Sequence, residues 1–213
     1  MLSAPMGVFI NFVLEQYNYS DIVHAKLGDV VIDGGAFLGE TALYFAERVG
    51  LHGKVYAFEF MPSNVELIHQ NLAMNPQYHT RIEIVERPLW SDSTTQLTAD
   101  DRGPGSSLRS VNDASEHTFM TISIDDFVRN QSVPQVDFIK LDIEGAELAT
   151  IEGARTVIMT FKPQLAICIY HKNSDFWQIP QLLHEMVPEY EFYVDHFVPF
   201  PNWETVLFAR VRS

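Results

Sequence analysis

The stretch Asp29-Val30-Val31-Ile32-Asp33-Gly34-Gly35-Ala36-Phe37-Leu38-Gly39-Glu40-Thr41, followed one helix length later by Tyr56-Ala57-Phe58-Glu59, decides the fold. Val30, Val31 and Ile32 form an unbroken apolar run, the pattern of a strand covered on both faces. Gly34, Gly35, Ala36 and Gly39 let the chain turn tightly and approach a ligand, which bulkier side chains would block. Residues 41–49 then predict a helix that offers Leu43, Phe45, Ala46 and Val49 to the sheet, with Gly50 as its C-cap. Residues 55–59 read as a second strand, and Glu59 at its end can accept both hydroxyl hydrogens of a ribose. Apolar strand, glycine turn, helix and strand-end acid together outline a nucleoside-binding crevice.

Outward from that core the alternation continues. Residues 62–72 predict a helix packing through Val65, Leu67, Ile68 and Leu72, and residues 82–85 a third strand. Residues 91–116 are polar and turn-rich, either a surface excursion or a flexible substrate loop. A short helix starts within 123–127, a buried strand spans 136–141, and a helix covers 146–156. Residues 165–170 form a strand, 177–187 a helix, and 190–194 with 205–211 a terminal hairpin. Repeated strand and helix favour an open, mostly parallel sheet with helices on both faces, so the chemistry is expected at the C-terminal strand ends. Residues 1–20, with Val8, Phe9, Phe12, Val13, Tyr17 and Tyr19, are expected to form a helical or lid segment over the entrance, and 21–213 the domain proper.

At 213 residues the chain suits one sizeable domain. Its net charge of -14, from 14 Lys+Arg against 28 Asp+Glu, argues against nucleic acid and anionic membrane surfaces as partners. One cysteine, Cys168, leaves no intrachain disulfide or thiolate zinc cluster, and its apolar neighbours make it a core side chain. No apolar run approaches the roughly 20 residues that span a bilayer. The first residues lack the basic region of a signal peptide, so cytoplasm is the default expectation.

The glycine register selects the ligand. A dinucleotide site uses Gly-x-Gly-x-x-Gly to bring a helix N-terminus to pyrophosphate. Here the glycines depart from that register, and Asp33 places a carboxylate before the turn. Beside pyrophosphate it would be repelled, whereas it could receive a cationic amino-acid moiety. S-adenosylmethionine carries such an ammonium group and no phosphate, so it is expected over NAD; a buried structural Asp33 is the alternative.

Four blocks carry a family resemblance: Val31-Ile32-Asp33-Gly34-Gly35-Ala36-Phe37-Leu38-Gly39; Val55-Tyr56-Ala57-Phe58-Glu59; Thr121-Ile122-Ser123-Ile124-Asp125-Asp126; and Phe138-Ile139-Lys140-Leu141-Asp142-Ile143-Glu144-Gly145-Ala146-Glu147. In them the chain resembles the FkbM-type class I methyltransferases. The resemblance implies a single Rossmann-like α/β domain, with a mostly parallel seven-stranded sheet and a terminal antiparallel strand. It also implies S-adenosylmethionine as cofactor and O-methylation of a small metabolite or sugar-like acceptor. Asp33, Gly35 and Gly39 then match the methionine-side loop, with Phe37 and Thr41 shaping the same pocket and Glu59 as the ribose acid. Trp90, just after strand three, is expected to stack on adenine. Gly34 stands where relatives often carry valine, and is expected to loosen the turn.

On the acceptor side, Asp142, Glu144 and Glu147 follow a buried strand, and His171 follows the next one. Asp142 is expected to serve both donor and acceptor, with His171 or Asp142 removing a hydroxyl proton and Glu144 positioning hydroxyls. Lys140 would neutralise a carboxylate or orient the acceptor. Alternatively, Asp142, Glu144 and His171 could hold magnesium or manganese, although no dedicated metal motif is present. The expected partner is a small-molecule methyl acceptor; a homo-oligomer stays open. The rival functions are an NAD-dependent oxidoreductase and a noncatalytic binding protein on the same fold.

Overall fold

In the computed structural model, which describes residues 1–3, 5–99, 109–110, 117–198 and 203–212, helix α1 (Pro5–Phe12) precedes the central strand β1 (Val30–Gly34). Then come α2 (Glu40–Val49), β2 (Lys54–Phe58), α3 (Pro62–Ala73) and β3 (Ile82–Val85). Three short strands follow, β4 (Gln96–Ala99), β5 (Arg109–Ser110) and β6 (His117–Met120), and then α4 (Ile124–Asn130) and β7 (Phe138–Leu141). Helices α5 (Glu147–Glu152) and α6 (Arg155–Phe161) lead to β8 (Gln164–Cys168), α7 (Asp175–Met186), β9 (Tyr190–His196) and β10 (Thr205–Val211).

The seven-stranded sheet has the order β3-β2-β1-β7-β8-β10-β9. It is parallel from β3 to β8, whereas β10 runs antiparallel to both β8 and β9. The last strand thus inserts between its hairpin partner and β8. Alternation along each strand sends successive side chains to opposite faces. Ile32 and Ile139 pack with Phe127, Ile151 and Leu183 on one face. Val31 and Phe138 pack with Phe45, Ile68 and Phe208 on the other. The register sets Asp33 beside Lys140 across β1 and β7.

Three local expectations change. Residues 91–116 are not only a loop: β4 pairs with β5 and β6 in a separate antiparallel sheet. The substrate-loop expectation falls on residues 100–108 and 111–116, which lie outside the described residues. The helix expected over 146–156 is divided at Gly153, where a Cβ would lie 2.3 Å from the Trp90 carbonyl oxygen. Asp125 then starts α6 afresh, its carboxylate accepting from the backbone N–H of Thr156 and Val157, both at 2.9 Å. Gly34 tightens the sheet end rather than loosening it, because a Cβ there would meet Leu141 Cδ2 at 2.8 Å and Leu89 Cδ1 at 3.0 Å. Among the described residues, no helix is long and apolar enough to cross a membrane.

Candidate active site

The turn after β1 is held from below by β7. Lys140, fully buried, donates from Nζ to the Gly34 and Gly35 carbonyls at 2.9 and 2.7 Å. Its third partner is Asp33 Oδ1 at 3.1 Å, and Thr41 Oγ1 donates to Asp33 Oδ2 at 2.6 Å. Burial works against the Lys140 charge, but Asp33 and Asp142 more than offset it and raise its pKa. The cation that meets Asp33 is therefore Lys140. Gly35, at φ 80°, crosses directly above the β7 end, and a Cβ on it would stand 2.0 Å from the Asp142 carbonyl oxygen. A side chain at this position is incompatible with the approach.

Above this turn a cavity of about 640 Å³ opens at the C-terminal ends of β1, β2 and β7, within the size range of small-molecule sites. Of the residues expected to bind the donor, Gly35, Phe37, Thr41, Glu59 and Asp142 line it. Asp33 and Gly39 support the turn from behind, Gly39 by starting α2 at φ 88°. Trp90 is a correction: it lines a separate concavity with Leu148 and Leu182. Leu89 bridges to Ile122, and alternation along that extended stretch directs Leu89 to the cavity and Trp90 away from it. Phe58 and Phe60 are the aromatic rings beside Glu59.

Glu59 is buried where β2 ends, and its Oε1 accepts the backbone N–H of Phe60 at 2.8 Å and Met61 at 2.9 Å. Burial raises its pKa, and these hydrogen bonds counter part of that effect.

Because β7 and β8 are parallel neighbours, their ends bring Asp142, Glu144 and His171 together. His171 Nε2 stands 3.5 Å from Asp142 Oδ1 and 3.7 Å from Glu144 Oε1, while Nδ1 meets Glu147 Oε1 at 2.8 Å. Glu147 is fully buried and also accepts from the Ile143 N–H at 2.9 Å, so it belongs to the support of the site. Burial opposes charge on His171, but the Glu147 bond and the Glu147, Asp142 and Glu144 charges prevail, raising its pKa from 6.5 to about 9. At neutral pH it is an imidazolium. Burial likewise leads the effects on Glu144, where the nearby acids add to it and His171 opposes them, and its pKa rises from 4.5 to about 7. For Asp142 burial is outweighed by Lys140, His171 and the Tyr17 bond, and its pKa falls. Among the described residues, no group of three His, Cys, Asp or Glu side chains is arranged to hold a metal ion.

Two tyrosines complete this cluster. Tyr17 donates to Asp142 Oδ2 at 3.0 Å and Tyr170 to Oδ1 at 3.1 Å. Glu204, just before β10, lines the same cavity beside Trp203. Sequence reasoning left all of these out of the site. Tyr170 carried a usable signal, being next to His171 at a strand end, whereas Tyr17 meets Asp142 only through tertiary folding.

A parallel sheet with an inserted antiparallel last strand, and a cavity over the glycine turn and strand-end acid, defines the class I methyltransferases. Residues 33–203 match the family described as Methyltransferase FkbM domain, and the chain belongs to that family. S-adenosylmethionine is accordingly its cofactor. Among solved structures, the methyltransferase FkbM from Methylobacillus flagellatus KT is similar at TM-score 0.71 and 22% identity, over 89% of this chain and 45% of that one. The chain therefore spans about half the length of that relative. Fibrillarin from Aeropyrum pernix, in complex with natively bound S-adenosyl-L-methionine, matches at TM-score 0.59 and 15% identity, over 92% and 74% of the two chains. A SAM-dependent O-methyltransferase from Thermotoga maritima matches at 0.54 and 17%, over 100% and 67%. At these identities the likeness is one of fold. No curated protein matches the chain.

Proposed function

We propose that the chain transfers a methyl group from S-adenosylmethionine to a hydroxyl of a neutral or cationic small molecule, with Glu144 as general base. The observation that carries this is the placement of Glu144 on the cavity wall, 3.7 Å from the His171 ring nitrogen, with a pKa of about 7. A base with a pKa near the working pH combines a useful ionised fraction with adequate proton affinity. Asp142 is less suited, since both its oxygens already accept tyrosyl hydroxyls and its pKa is lowered. His171 keeps its proton at neutral pH and is held by Glu147 through Nδ1.

The cavity suits the cofactor by its chemistry. The glycine cradle leaves room at Gly35 that a Cβ would fill, and Glu59 presents a carboxylate at the end of β2. Gly35 and Phe37 would hold the methionine side, Glu59 the ribose hydroxyls, and Phe60 with Leu89 the base. When bound, S-adenosylmethionine supplies a methyl group activated by its sulfonium. Glu144 would take the acceptor hydroxyl proton, leaving the oxygen as the nucleophile for that methyl group. The protein's largest contribution is alignment of the two reactants. The acids that line the cavity, Glu40, Glu59, Asp142, Glu144 and Glu204, outnumber Arg87, Lys140 and His171, which disfavours a polyanionic acceptor.

Incubation with S-adenosylmethionine and a pooled set of polyols, sugars and amino alcohols, followed by mass spectrometry, tests the reading. A methylated product is expected, and Glu144→Gln should lower turnover by about 10²–10⁴-fold with little change in S-adenosylhomocysteine affinity. Wild-type turnover in Glu144→Gln would remove Glu144 as the base.

A further inference from the structure

The family match begins at residue 33, yet earlier residues build one wall of the cavity. Met6, Gly7, Ile10, Asn11, Gln16 and Tyr17 line it. Helix α1 has limited apolar packing: Ile10 is its one buried residue and Phe12 meets the Tyr44 ring edge-on at 5.9 Å, while Met6 and Phe9 are 61% and 46% exposed. The segment is instead fastened by polar contacts that end on the site or its supports. Asn71 Nδ2 donates to the Leu2 carbonyl at 2.9 Å and to the Leu38 carbonyl of the glycine turn at 2.7 Å. Ser3 donates to Glu40 at the start of α2, and Gln16 donates to Glu204.

Tyr17 makes the most consequential contact. It is 2% exposed, its ring centroid lies 6.1 Å from that of Phe45, and its hydroxyl reaches Asp142 Oδ2 at 3.0 Å. Burial and the Asp142 charge push its pKa well up, so the hydroxyl remains a donor. Tyr170 holds the other Asp142 oxygen from within the family-matched residues. Apart from Ile10 and Tyr17 the segment buries little apolar surface, so its opening would withdraw mainly those two side chains and a few directed hydrogen bonds, as a lid that admits ligand requires.

We propose that residues 5–17 are a lid over the donor cavity, and that Tyr17 is a positioning residue that orients Asp142 when the lid is shut. This rests on reading the cavity as the S-adenosylmethionine site. Closure would exclude water and fix the Asp142 carboxylate between two tyrosyl hydroxyls; opening would release one of them.

Calorimetry and hydrogen exchange with S-adenosylhomocysteine separate the possibilities, using wild type, Tyr17→Phe and Tyr170→Phe of the full chain. In wild type, ligand should slow amide exchange across residues 5–17. Tyr17→Phe keeps the ring packing and should remain folded, with Tm lowered only by the loss of one hydrogen bond, but it should weaken affinity about 10-fold, as loss of a hydrogen bond to a charged group does, and abolish the slowing. Tyr170→Phe should weaken affinity while leaving residues 5–17 protected by ligand. Ligand-induced protection of residues 5–17 in Tyr17→Phe, with affinity equal to wild type, would overturn the proposal. Failure of wild type to bind S-adenosylhomocysteine would instead overturn the cavity reading beneath it, and the lid with it.

Discussion

At the end of β7 a single imidazole is enclosed by Asp142, Glu144 and Glu147, and this has a consequence for stability. His171 holds its proton more tightly folded than unfolded, with a pKa raised from 6.5 to about 9. Its contribution is complete below about pH 6.5 and is lost as pH rises through 9. At 1.36 kcal/mol per unit, the loss is about 3 kcal/mol. Glu144, also raised, acts with the same sign at lower pH, because it too binds protons more tightly in the fold. Urea unfolding of the ligand-free protein should therefore show stability falling between pH 6.5 and 9.5, and His171→Gln should remove most of that slope. A wild-type stability that is flat across this window would contradict the charge assignment. The convergence of Asp142, Glu144 and His171 was legible in the sequence, since acids and a histidine ended two successive buried strands that became parallel neighbours. The proton's location was not legible, because it depends on Glu147 Oε1 reaching Nδ1 from the first turn of α5.

Between elements, the decisive unit is the β1–α2 turn resting on β7. Register places Lys140 opposite Asp33, and its ammonium then draws in the Gly34 and Gly35 carbonyls. Lys140→Met would leave Asp33 buried without its cation, a loss of about 3–5 kcal/mol by analogy with broken buried pairs. Adding Asp33→Asn should recover part of that loss, because the uncompensated charge is gone, and a double-mutant cycle in urea measures the coupling. Additive effects of the two substitutions would show that they do not act as a pair. The glycine run made this turn readable, and apolar strand patterns located the sheet on which it sits. Two features escaped because they depend on packing across the fold. Trp90 points away from the cavity since the Leu89–Ile122 bridge sets the alternation there. The polar composition of residues 91–116 concealed β4, whose Leu97 and Ala99 are buried while Gln96 is exposed.

Across the whole molecule, the fold gathers its chemistry at one edge of the sheet, so ligand binding there should register as global stability. The cavity carries five acids, Glu40, Glu59, Asp142, Glu144 and Glu204, against Arg87, Lys140 and His171, on a chain of net charge -14. That environment disfavours the pyrophosphate of NAD and accommodates the cationic donor. A ligand that binds only the folded state adds about 2.7 kcal/mol at 100 times its Kd. For a domain of this length each kcal/mol corresponds to roughly 2–4 °C in Tm, so saturating S-adenosylhomocysteine should raise Tm by about 5–10 °C. Glu59→Ala should reduce that shift at the same ligand concentration, since it removes the strand-end carboxylate proposed to hold the ribose. NAD at equal concentration should produce no comparable shift. Stabilisation by NAD alone would contradict the donor assignment, because the same cavity would then be accommodating the phosphate charge that its acids oppose.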